Sequence, residues 1–138
     1  MSARTGALLR LGRLPEALSA SQAFLAVSDG AEFNAMGAAV HFAARDDASA
    51  VRLARKSISQ MARGDAADPL AVAVVLSLAA SEARAGHLDR AEAALKEFYA
   101  AVPHARTIAQ IKGWLLDYSP VPYEDTFFDA LRQAGVGG

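Results

Sequence analysis

The 138-residue chain has no cysteine, so neither a disulfide framework nor a thiolate metal site is open to it. Its three histidines, His41, His87 and His104, stand far apart and lack the i+3 or i+4 ligand partner of a helical zinc motif. Neither sign of charge is in excess: 14 Lys and Arg against 15 Asp and Glu leave a formal charge of -1. No whole-molecule field therefore draws it to nucleic acid or to an anionic membrane surface. Long apolar runs are missing as well. The longest, Pro69 to Ala80, is too short to cross a bilayer, and the opening MSARTGALLRLGRLPEA lacks the continuous apolar core of a signal peptide. A cytoplasmic protein is the expectation. No Gly-x-Ser-x-Gly elbow or Ser-x-x-Lys sequence poises a serine for attack, and no glycine-rich loop stands ahead of a helix to cradle a phosphate. No catalysis, no metal and no cofactor are expected.

What is present points to helices. Aromatics make up only 7% of the chain, while roughly a quarter is alanine, the residue that costs least to place in a helix and lets helices approach closely. Apolar residues return at spacings of three and four between short loops carrying Gly, Pro or Asp. The spacing predicts helices over residues 3–11, 15–28, 31–44, 48–62, 69–86, 88–101, 107–116 and 124–134. Their punctuation is physical. Gly12, Gly86 and Gly135 suit the left-handed position after a helix, Pro15 and Pro69 suit a first turn, and Asp29, Asp46 or Asp47, and Asp68 suit N-caps. The β-branched run Ala71 to Leu76 also fits a buried strand, but no second strand-like segment exists to pair with it. The fold class expected is all-α.

Two stretches superpose: LGRLPEA at residues 11–17 and AGHLDRA at 85–91 share the order small-or-apolar, Gly, any, Leu, any, any, Ala. The glycine turns the chain, the leucine plugs the corner, and the alanine lies where paired helices come closest. Leu95, Phe98 and Pro103 follow Ala91 at the spacing of an apolar, a large packing and a terminating residue. This pattern resembles the tetratricopeptide repeat. Gly12 and Gly86 are 74 residues apart, which leaves room for one further repeat; Met36, Gly37, Val40 and Ala50 match it in part, while Arg45, Asp46 and Asp47 stand where its glycine would be. The resemblance implies an α-α superhelix of about three hairpins, near residues 3–28, 31–62 and 69–102, with a C-terminal capping helix pair near 107–135, all in one domain.

From Arg106 onward, Ile111, Trp114, Pro122, Tyr123, Asp125 and the closing Leu131, Arg132, Ala134, Gly135 resemble the end of tetratricopeptide regions attached to bacterial class III adenylate or guanylate cyclases and to winged-helix regulators. The function this implies is a non-catalytic protein- or peptide-binding scaffold. The alternative is a sensory or regulatory segment of a signalling enzyme or transcription regulator whose catalytic or DNA-binding part lies elsewhere. In such arrays the first helix of each hairpin lines a concave groove. The register places Arg10, Asn34, Ala38, His41, Phe42, Ala73, Leu76, Ala80 and Arg84 there, and Arg10, Asn34 and Arg84 are similar to the asparagine-plus-basic clamp of some relatives, without its lysines. Arg52, Arg55 and Lys56 read as a solvated outer face of one helix. Trp114, Tyr118, Phe127 and Phe128 read as cover for the open end of the last hairpin. Self-association through apolar array ends is the further partner expectation; nucleic acid and membrane are not.

Overall fold

The computed structural model describes residues 13–27, 30–61, 69–118 and 125–137. Among them are seven helices: α1 (Leu14–Val27), α2 (Ala31–Ala43), α3 (Asp47–Met61), α4 (Pro69–Arg84), α5 (Leu88–Ala101), α6 (Ile108–Tyr118) and α7 (Asp125–Gln133). The chain is all-α there; its one β-type contact among the described residues is an isolated bridge between Thr107 and Gly137. The first expected helix, residues 3–11, and its Gly12 lie outside the described residues. The other seven match within about two residues, the spread expected of helix ends. At the start of α2 the cap position belongs to Gly30, with no side-chain cap, rather than to Asp29. Asp68 lies outside the described residues, and Pro69 opens α4 as its missing N–H allows.

Consecutive helices pack on one another: α1 on α2, α2 on α3, α3 on α4 and α4 on α5, with α2, α6 and α7 also lying against α4. The tight turns that make this possible share one geometry. After α2 the N–H of Arg45 donates to Phe42 O and that of Asp46 to His41 O; after α4, Gly86 donates to Ala83 O and His87 to Glu82 O; after α7, Gly135 donates to Arg132 O and Val136 to Leu131 O. Each is a Schellman closure, which needs a left-handed residue just beyond the helix. Gly86 (φ 88°) and Gly135 (φ 113°) supply it without strain, whereas Arg45 supplies it at φ 63°, with its Cβ crowding the backbone. The turn after α2 thus takes the same conformation as the other two without a glycine. Arg45→Gly should therefore raise stability by about 0.5–1 kcal/mol and Gly86→Ala lower it by about 1 kcal/mol, read from urea midpoints at unchanged slope. Equal effects of one sign would contradict the shared geometry.

The core follows from α4. From Val72 to Ala83 every side chain except Leu78 is buried, in keeping with a helix that is apolar on all sides and must be covered on all sides. Ala17, Ala50 and Ala91, one at the start of each second helix, are all 0% exposed, so a larger side chain at any of them would push neighbouring helices apart. The main cluster joins Phe42, Leu76, Phe98, Ile108, Ile111, Phe127 and Leu131. Helix α6 is started by a capping box: Gln110 N–H donates to Thr107 Oγ1 and Thr107 N–H to Gln110 Oε1. The tail folds back to complete it, Ile108 N–H donating to Gly137 O at 3.0 Å.

Candidate functional site

The residues read from the sequence as groove lining are placed as follows. Arg10 lies outside the described residues. Asn34 is 0% exposed, and its Nδ2 donates to Gln60 Oε1 at 2.9 Å and to Gly30 O at 3.1 Å, which ties α2 to α3. Ala38, Phe42, Ala73, Leu76 and Ala80 are buried. His41 is largely covered, its Nδ1 3.2 Å from Asp46 Oδ2. These side chains are interior and do not line an open channel. Two elements cover them: α3, whose Leu53 and Ala54 pack with Ala38 and whose Gln60 meets Asn34, and α7, whose buried Phe127, Phe128, Ala130 and Leu131 share a cluster with Phe42, Ala73, Leu76 and Ala80. An exposed lining was expected because periodicity assigns a helix its apolar face without saying which element covers it.

Arg84 joins four elements. Its Nε donates to Asp47 Oδ1 at 2.8 Å, its Nη2 lies 2.6 Å from the same oxygen, and Nη2 also donates to Phe42 O. The guanidinium rests on the Phe42 ring, 3.7 Å from its centre, and that ring meets Phe127 edge-on at 5.6 Å. With both Arg84 and Asp47 less than a fifth exposed, this is a desolvated, charge-assisted fastener between the α2–α3 hairpin, α4 and α7.

Asp46, next to it, caps α3 through the N–H of Ser49 at 3.2 Å. Hydrogen bonding from Ser49 holds the Asp46 carboxyl below its usual range, with His41 adding a smaller electrostatic pull. The folded value being the lower one, the stabilisation is full above the ordinary aspartate range and disappears as pH falls through the folded value. Asp46→Ala should cost about 0.5–1 kcal/mol at neutral pH, the low end of capping effects for a solvated cap. The gap from the unmodified protein should close on titration below about pH 4. Denaturant curves at a series of pH values check this; a gap that widens in acid would refute it.

A second polar cluster lies two residues back from Arg84 along α4, at Glu82, and was not foreseen. Glu82, the lone acid of the apolar helix α4, is 1% exposed. Around it stand Arg55 of α3, with Nη2 3.5 Å from Oε2, Arg90 of α5, with Nε 3.8 Å from Oε2, and His87 of the intervening turn, with Nδ1 3.6 Å from Oε1. The signal available in the sequence was a single carboxylate inside PLAVAVVLSLAASEAR, since a buried acid requires cationic company. Arg55, read as part of a solvated face, is exposed there and also reaches Glu82 of α4. His87 lies in the turn as expected and His104 is exposed.

At the C-terminal end Trp114 and Phe98 meet edge-on at 5.5 Å, Phe127 and Phe128 at 5.3 Å, and all four are buried. Arg106 lies over the Tyr99 ring and Lys112 over Phe128; burial pushes the Tyr99 hydroxyl above its usual range. An open depression of about 460 Å³ is lined by His104, Gln110, Gly113, Trp114 and Asp117. It brings together no nucleophile–base pair. Among the described residues no three His, Cys, Asp or Glu side chains cluster as metal ligands, and no helix is long and apolar enough to cross a membrane. Ser77 and Ser81 are buried, Ser81 Oγ donating to Ser77 O at 2.8 Å, which is a helix-internal bond rather than an activated hydroxyl. In comparison with known proteins, the chain matches no protein-family model, no curated protein and no solved structure.

Proposed function

We propose that the chain is a tetratricopeptide-like scaffold that binds a protein or peptide partner and performs no chemistry of its own. The observation that carries this reading is a recurrence. Arg45 and Gly86 close their helices in the same way, a residue follows that heads the next helix, and Ala50 and Ala91 come five positions after the left-handed residue, both wholly buried. Ala17, buried to the same degree, keeps that spacing from Gly12. Repetition of a turn and of a small contact residue is how stacked hairpins are built, and such stacks act through extended surfaces rather than through catalytic clefts. Polar groups support the same view: Asn34–Gln60 joins the two helices of one hairpin, Arg84–Asp47 and Arg55–Glu82 join neighbouring hairpins, and among the described residues these pairs set no nucleophile beside a base.

The role is the same whether the scaffold works alone or passes a signal to a catalytic or DNA-binding part of a larger signalling protein. Selection from a displayed random-peptide library on the immobilised folded chain, followed by titration calorimetry of the recovered peptides, tests it. Enriched sequences that bind saturably in the micromolar range are expected. No enrichment, or enriched peptides that bind the heat-unfolded chain equally well, would overturn the reading.

A further inference from the structure

The polar cluster at Glu82 has donors to spare. Charge-assisted N–H···O contacts normally close to about 2.7–2.9 Å, and the chain makes such a contact two residues away, where Arg84 meets Asp47 at 2.8 Å. Around Glu82 the nearest nitrogens stop at 3.5, 3.6 and 3.8 Å. Arg55, His87 and Arg90 meanwhile keep 53%, 51% and 62% of their side-chain surface in solvent. A guanidinium carries five N–H donors, and one carboxylate oxygen at long range uses few of them. The buried carboxylate orients three half-exposed side chains from α3, the turn and α5 without saturating any of them.

Two guanidiniums over one carboxylate leave a single surplus positive charge at the cluster. That charge is matched by one carboxylate and only half-matches a dianionic phosphate. We propose that Arg55, His87 and Arg90, held around buried Glu82, receive a carboxylate side chain of an acidic partner segment at the seam between the second and third hairpins. This rests on the partner-binding reading above and names the chemistry of one contact. Glu82 is a positioning residue: it fixes the spacing of the two guanidiniums from inside, while the incoming carboxylate accepts from their outward N–H groups.

The test follows the arginine Nε–Hε resonances of the full chain by two-dimensional NMR during titration with a short oligoglutamate peptide blocked at both ends. Matching titrations use oligoglutamine and inorganic phosphate. Saturable shifts of the Arg55 and Arg90 signals are expected with oligoglutamate alone, while Arg84, already engaged by Asp47, stays in place. The double variant Arg55→Ala/Arg90→Ala should bind oligoglutamate at least about tenfold more weakly, the loss expected for one hydrogen bond between charged groups. Arg90→Lys, which keeps the charge but not the fork, should fall between. Circular dichroism and thermal unfolding of each variant separate lost binding from lost folding.

Unmoved Arg55 and Arg90 signals at millimolar peptide, or unchanged affinity in the folded double variant, would overturn the proposal. Phosphate shifting the two signals as strongly as oligoglutamate would overturn the carboxylate assignment. Library-selected peptides that bind without touching these signals would leave the scaffold reading standing and refute only this site.

Discussion

Phe98→Ala should lower the unfolding free energy by about 3–5 kcal/mol, the range for deleting a buried aromatic ring without full collapse of the space it leaves. Phe98 is 1% exposed in the main cluster, meets Trp114 edge-on at 5.5 Å and Tyr99 at 5.8 Å, and so joins α5 to α6 through rings rather than through backbone contacts. Neither neighbour can fill the void, since Trp114 is fixed on α6 and Tyr99 holds Arg106 over its face. Urea unfolding monitored by the single tryptophan reads the loss directly. The emission of Trp114 in the folded state should also move to the red as water reaches it. A loss under about 1 kcal/mol would mean that α6 does not depend on this contact.

Arg84→Ala should cost about 2–3 kcal/mol, because it removes hydrogen bonds from a charged donor and leaves Asp47 largely shielded from water without its cation. The Phe42 ring loses the guanidinium that covers it as well. A double-mutant cycle with Asp47→Ala should return a coupling of about 1–3 kcal/mol, well beyond that of an exposed ion pair. Molar salt should reduce it little, screening being weak for buried pairs. Near-zero coupling would place the pair at the surface.

The difference between these residues shows how far a single sequence can be read. Helix limits were legible because they are set locally: Pro69 can only begin a helix, Gly86 and Gly135 take the left-handed turn without strain, and Asp46 reaches the amide of Ser49. Ala17, Ala50 and Ala91 were legible as contact positions because their spacing from the turn repeats. Arg45 was the hard case, since an arginine in a left-handed conformation is costly and nothing in the local sequence marks it for that role. The destination of α7 was not legible. Its apolar face is plain in FFDAL, but that face fits the end of the last hairpin and the flank of α4 equally well, and long-range packing decides. Glu82 stayed hidden for a similar reason, its three cations coming from separate parts of the chain.

The docking of α7 on α4 has a consequence for biosynthesis. When α4 leaves the ribosome its first neighbours, α2 and α3, are already available and α5 follows at once, but Phe127 and Leu131 are translated only after α5 and α6. Until then one flank of the most apolar helix stays wet and adhesive, the condition that favours clumping of nascent chains and recruits holdase chaperones. Premature termination anywhere between α6 and Leu131 should therefore yield a product that is helical yet sticky, and rapidly cleared by cellular proteases.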